Sequence, residues 1–175
     1  MWGVVEAAMG VVILGVLGQG ALAGQAARAI DVAEAKVVAL QAVTHLLLKT
    51  DLGELGRLVD PGCAVDGKGP GQGKALIEGL RNGLKELKVA SLSDFISVRE
   101  VIFFTAAGLP ALRVRFRAKR DLWSAKEVPA HIGGGLGCCV VAKELRGGRE
   151  IDDEVYVLIV RKVGGRYKVV YYGNS

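Results

Sequence analysis

The stretch DGKGPGQGKALIEGL, Asp66 to Leu80, sets alternating glycines and a Gly-Lys pair ahead of a helix-like run. Backbone N–H groups in such a loop can cradle a phosphate, with the lysine supplying charge. That chemistry needs a glycine five residues before the Gly-Lys pair and a hydroxyl directly after it. Lys68 stands at the first position and Ala75 at the second, so the pattern argues against a phosphate loop. Gly67, Gly69, Gly71 and Gly73 overlap loosely with a dinucleotide fingerprint, but no parallel βαβ unit surrounds them. The stretch reads instead as a turn that feeds a helix, with glycines allowing positive φ and Pro70 fixing a bend.

The other residues with reactive chemistry are few. Cys63, Cys138 and Cys139 form no C-x-x-C, and with His45 and His131 they give no zinc spacing, so no metal site is expected. An odd count leaves at least one thiol free in a monomer, and export would permit one disulfide. Cys138 and Cys139 are adjacent in a strand-like run and should point to opposite faces. Buried small hydrophobes is the simplest reading of all three. His45 shares a helix edge with Glu34, Gln41 and Lys49 and is expected to be solvated. His131 sits in the glycine-rich loop PAHIGGGLG, where a side chain can cover a pocket, and it is a candidate site residue. No hydroxyl nucleophile, base and orienting acid assemble from the sequence.

The most distinctive charged feature is Arg113, Arg115, Arg117 and Lys119. Their spacing of two predicts a strand over Ala111 to Trp123 with a basic outer face, and with Leu112, Val114, Phe116 and Ala118 facing the core. Such a stripe can meet phosphate, an anionic lipid surface or an acidic partner, or be a solvated sheet face with cross-strand partners.

A chain of 175 residues with 51% hydrophobic and 23% charged residues suits one domain with a substantial core. A net charge of +5 and 6% aromatics fall short of a dedicated nucleic-acid binder. Residues 1–23, MWGVVEAAMGVVILGVLGQGALA, carry no Lys or Arg. The apolar run from Met9 to Leu17 and the small residues Ala21 and Ala23 suggest a signal peptide, although a basic n-region is missing. An uncleaved anchor and a buried helix are the rival readings. The expectation is therefore an exported chain, secreted or periplasmic, touching a membrane only through 1–23 if that segment is retained.

The rest of the chain supplies the scaffold. Ile30 to Thr50 reads as an amphipathic helix with Asp31 near its start, and DLGELGRLV as a second short helix. Asp60-Pro61-Gly62 reads as a turn, Cys63 to Asp66 as a brief strand, and Lys74 to Leu87 as a third helix. After Ser93 the period becomes strand-like: Phe95 to Phe104, Ala111 to Trp123, Gly137 to Leu145, a nearly all-apolar Val155 to Lys162 buried on both faces, and Arg166 to Tyr172. Helices followed by strands imply α+β, with N-terminal helices packed on a curved antiparallel sheet.

Three stretches, LGELGRLVDPGCAV, GKALIEGL and VLIVRKVGGRYKVVYYGN, together with this element order, resemble the nuclear transport factor two-like superfamily, which includes ketosteroid isomerases and SnoaL-like cyclases. The resemblance covers most of 30–174 and implies a cystatin-like cone closed over an apolar cavity. It implies a general-base role for Asp66, after the short first strand. His131, in its glycine-rich loop, is a candidate at the same mouth, with Trp123 and Tyr156 as ligand-binding walls. The isomerase oxyanion hole needs a tyrosine in the first helix, but all four tyrosines follow Val155, which argues against isomerase activity. The expected role is a cofactor-free, non-catalytic module that binds an apolar small molecule or a partner, possible as a homodimer through the outer sheet face. A small cyclase-, isomerase- or dehydratase-type enzyme and an anchored periplasmic assembly component are the alternatives.

Overall fold

The computed structural model describes residues 31–124 and 126–175. The segment 1–23, read above as a signal peptide or anchor, lies outside them. Among the described residues no helix is long and apolar enough to cross a membrane.

Helix α1, Val32–Val43, begins where the Asp31 carboxylate accepts the N–H groups of Ala33 and Glu34 at 3.1 Å. This satisfies donors that the first helical turn leaves open. The Asp31 N–H donates to the Tyr167 hydroxyl at 2.7 Å, tying the helix start to the last hairpin. A π-helical turn, Thr44–Leu48, continues α1. The buried face is Ala35, Ala39, Ala42, Val43, Leu46 and Leu47, so small side chains bring the helix close to the sheet. Val37 is exposed because the alanine face turns inward. Asp51 caps α2, Leu52–Leu58, in the same way as Asp31 caps α1.

Strand β1, Val59–Val65, absorbs Asp60-Pro61-Gly62 as an irregularity in its ladder, where a turn was expected. The glycine-rich stretch is then a turn: Gly67, Gly69 and Gly71 have φ of +68°, +75° and +81°. Cys63 and Gly62 accept the N–H groups of Gln72 and Gly71, which lays the turn back on β1. Helix α3, Gly73–Leu87, follows. It starts at glycine for a steric reason: a Cβ at Gly73 would sit 2.2 Å from the Asp60 carbonyl oxygen.

The remaining strands are β2 (Ile96–Phe104), β3 (Leu136–Arg146), β4 (Arg149–Val163) and β5 (Arg166–Asn174). The sheet order is β1-β5-β4-β3-β2. The α+β class holds, with a curved, unclosed sheet. The sheet is mixed rather than wholly antiparallel, because β1 pairs with β5 in parallel. That direction is free because the two strands are far apart in sequence, whereas tight turns force β3, β4 and β5 to alternate, and β2 pairs antiparallel with β3 across the longer 105–135 connection.

The expected strand over Ala111 to Trp123 is not present. Leu109–Arg115 forms helix α4, with Pro110 in its first turn, followed by turns to Ser124. The residues that turn inward are Leu109, Leu112 and Phe116, at spacings of three and four. Val114, assigned to the core by alternation, is 76% exposed. Arg113, Arg115, Arg117 and Lys119 therefore form no sheet face. A proline in the first turn fits a helix, and the helical apolar spacing overrides the period of the arginines.

Segment 105–135, with α4 and the short helix α5 (Val128–His131), instead covers the outer face of the sheet. Helices α1 to α3 cover the inner face with Val101, Cys138, Val140, Tyr156, Leu158 and Val160. The outer core contains Ile102, Cys139, Val157, Ile159, Val170 and Tyr171, packed under Leu112, Leu122, Trp123, Val128 and Ile132. Cys138 and Cys139 do point to opposite faces, as adjacent strand residues must. A homodimer through the outer sheet face would meet this covering segment rather than bare strands.

Gly73→Ala should lower the unfolding free energy by about 2 kcal/mol, since its Cβ meets backbone that cannot yield. Gly79→Ala, in the same helix with nothing near its Cβ, should raise it by about 0.5–1 kcal/mol. Urea unfolding of both variants measures the pair, and equal effects would contradict the close approach of α3 to β1.

Candidate functional site

Two features meet at the β1–β5 edge of the sheet. The first is a groove of ≈ 410 Å³ between α3 and the ends of β1 and β5. Its wall on α3 is formed by Leu76, Leu80, Leu84 and Leu87, with Gly79 and Gly83 between them, and its floor by Val65 and Tyr172. These leucines lie on one face at helical spacing. Their stripe is not closed over: Leu76, Leu80 and Leu84 are half-buried and Leu87 is 55% exposed. Asp66, Lys68, Gln72 and Asn174 form the polar rim. A smaller hollow of ≈ 300 Å³ lies between α2, β1 and α3, lined by Val59, Pro61 and Ile77.

The second feature is an acid–base cluster around Tyr171, on the outer side of the same edge. A β-bulge builds it. Val160 pairs with Val169 but Ile159 pairs with Tyr171, so Val170 is an extra residue in β5. Without the bulge, Tyr171 would share the inner face with Val169. With it, Val170 and Tyr171 both enter the outer core, and Tyr172 returns to the inner one. The Tyr171 hydroxyl donates to Glu127 Oε2 at 3.3 Å. The His131 ring stacks on the Tyr171 ring with centroids 4.9 Å apart and planes at 23°. Asp66 extends β1 by donating its N–H to the Tyr172 carbonyl, which brings its carboxyl to that of Glu127.

The electrostatics follow from this crowding. Asp66 is held above the usual carboxylate range, first by partial burial and then by the charge of Glu127, a hydrogen bond to it, and Asp121; the Gly67 N–H opposes the shift. Burial, and then the charges of Asp66 and Glu127, push the Tyr171 phenol far up, so it stays a donor. No ion pair reaches Asp66, Glu127 or Asp121 among the described residues.

The structure thus brings together Asp66 and His131, the two residues singled out for chemistry. It also adds Glu127 and Tyr171, which sequence reasoning missed. The only sequence signal for Tyr171 was its place in a terminal strand, and the bulge that re-aims it has no sequence mark. Glu127 lies in the stretch assigned between strands. Trp123 and Tyr156 are not brought together. Trp123 is buried in the outer core, stacked on Phe116 at 6.2 Å, while Tyr156 lies in the inner core, so the sheet separates them. Neither lines the groove.

Other candidates resolve as structural. Cys63, Cys138 and Cys139 are free and buried. Burial first, aided by Asp60 for Cys63, pushes the Cys63 and Cys139 thiols up to about 12, too high for nucleophiles at neutral pH. His45, expected in solvent, is half-buried in the π-helical turn, and its Nδ1 meets no hydrogen-bond partner among the described residues. Arg115 forks onto Glu100 and lies over the Phe116 ring at 5.1 Å, so one member of the basic series is structural. Among the described residues no group of His, Cys, Asp and Glu is arranged to hold a metal ion.

No protein-family model matches the chain, and no curated protein matches it. A solved structure of a protein from Catenulispora acidiphila is similar at a TM-score of 0.44 and 9% identity, over 82% of this chain and 88% of that one.

Asp66 is easier to protonate in the folded chain than in the unfolded one. Its stabilising contribution is complete below the ordinary carboxylate value near pH 4 and fades as pH rises through the elevated folded value. Asp66→Asn removes one of the two repelling carboxyls. It should raise the melting temperature relative to the parent near pH 7 and leave the difference small near pH 4. A melting series across this window checks the sign, and a loss of stability at neutral pH would contradict the crowding of the Asp66 and Glu127 carboxyls.

Proposed function

We propose that this chain is a small-molecule-binding module whose ligand lies in the groove between α3 and β5, its apolar body against the leucine stripe and its polar end at the Asp66 rim. The observation that carries this reading is the stripe itself. α3 keeps four leucines at helical spacing, yet leaves them half-open over Tyr172 instead of sealing them into the core. An open apolar concavity of several hundred Å³ with a few polar groups at its edge suits a compact ligand. The nuclear transport factor two-like reading, with its cavity between helices and sheet, is consistent with this placement and remains part of the proposal, as does export.

A second reading has its own support. Asp66 stands both on the groove rim and beside the charge of Glu127, and a carboxyl held above its usual range is better suited to act as a base. In this reading the module is a cofactor-free acid–base enzyme with Asp66 as base, the Glu127 charge beside it raising its proton affinity, and Tyr171 holding Glu127 in place.

Gly83→Trp tests the groove, because a Cβ there meets nothing and a large ring can occupy the space. The neutral probe N-phenyl-1-naphthylamine should bind the parent with a fluorescence rise and micromolar affinity, and Gly83→Trp should weaken it at least about ten-fold. Equal uptake by both would reject the groove as the binding site. Asp66→Asn should leave probe uptake intact. If the second reading holds, it also abolishes the base-catalysed ring opening of 5-nitrobenzisoxazole by the parent.

A further inference from the structure

We infer that segment 113–126 is a membrane-docking surface for anionic phospholipid. Six basic residues, Arg113, Arg115, Arg117, Lys119, Arg120 and Lys126, stand there against one acid, Asp121, so the segment carries a net charge equal to the +5 of the whole chain. The remainder of the chain is neutral overall. A charge concentrated in this way creates a local field that a dispersed +5 would not.

The fold decides which of these cations are free. Arg115 is held by Glu100, and Lys119 lies near Asp153. Arg113, Arg117, Arg120 and Lys126 are exposed, and no ion pair reaches them among the described residues. The segment forms the outermost layer over the sheet, since Leu109, Leu112 and Phe116 turn inward and the arginines take the other side.

The apolar groups on this surface distinguish the partner. Val114, between Arg113 and Arg115, is 76% exposed, the highest value among the exposed large hydrophobic residues described. An aliphatic side chain ringed by cations suits the headgroup–acyl boundary of a bilayer. A single-stranded nucleic acid would be met by exposed aromatic rings, but Phe116 and Trp123 are stacked on each other and turned into the core. This surface is distinct from the groove and does not depend on the small-molecule reading.

Vesicle co-sedimentation of the full chain tests the inference, using phosphatidylcholine vesicles with and without about 30 mol% phosphatidylglycerol. Partition should be at least about ten-fold stronger to the anionic vesicles at about 50 mM salt and should collapse at about 500 mM. Residues 1–23 contain no Lys or Arg, so any binding through them would not show this preference. R113Q/R117Q should lose about five-fold per charge removed. V114S should weaken partition while keeping the salt dependence, and R81Q/K85Q on α3 should change nothing. Equal partition to both vesicle types, or R113Q/R117Q binding like the parent, overturns the proposal. So does tighter binding to a DNA duplex than to anionic vesicles at the same salt.

Discussion

The middle of strand β4 has no solvent side. From Val155 to Val160 every residue is buried, with even positions in one core and odd positions in the other. A strand of this kind is stable only if both faces of the sheet are covered, since leaving either set in water would forfeit about 1.5–3 kcal/mol per large side chain. The three N-terminal helices satisfy one face. The other requires a second layer, which among the described residues the connection between β2 and β3 supplies. The rest of the architecture follows from that requirement, including the position of every residue with interesting chemistry.

The covering segment is a poor regular layer but an effective one. Its two helices are short, and Leu122 and Trp123 between them, with Val128 at the start of α5, are nearly fully buried. Packing its apolar side inward leaves its cations outside, which produces the basic surface. Its far end carries Glu127 and His131 to the β5 edge. There the bulge at Val170 turns Tyr171 out to meet them. Because β1 adds to β5 in parallel, the residue following β1 is Asp66, at the point where inner groove and outer cluster come closest. The groove and the cluster are therefore two sides of one sheet edge, joined by a single carboxylate.

Much of this was legible in the sequence, and the failures are instructive. The α+β class, the helix start at Asp31, the glycine-rich turn, the third helix and the opposed Cys138 and Cys139 follow from local rules of capping, φ and periodicity. The reading of Ala111 to Trp123 as a strand failed because two periods coexist there. The arginines alternate by two while the buried Leu109, Leu112 and Phe116 are spaced by three and four, and packing follows the apolar set. The sequence also held the corrective: a strand apolar on both faces, Val155 to Val160, is incompatible with a sheet whose outer face is bare. The cluster was half legible. Asp66 and His131 are conspicuous by position, but Tyr171 depends on a one-residue bulge and Glu127 on the path of an irregular connection, and neither leaves a local signature.

The central claim is the two-sided burial of the sheet, and native thiol labelling tests it directly. Cys138 faces the helices, Cys139 faces the covering segment and Cys63 lies in the inner core, so each reports on a different part of the structure. Intact-mass analysis after a small thiol reagent should show no label on the folded chain and three labels after denaturation. Rapid modification of Cys139 alone in the native state would mean that segment 105–135 does not cover the outer face. It would remove the basis for both the Tyr171 cluster and the basic surface.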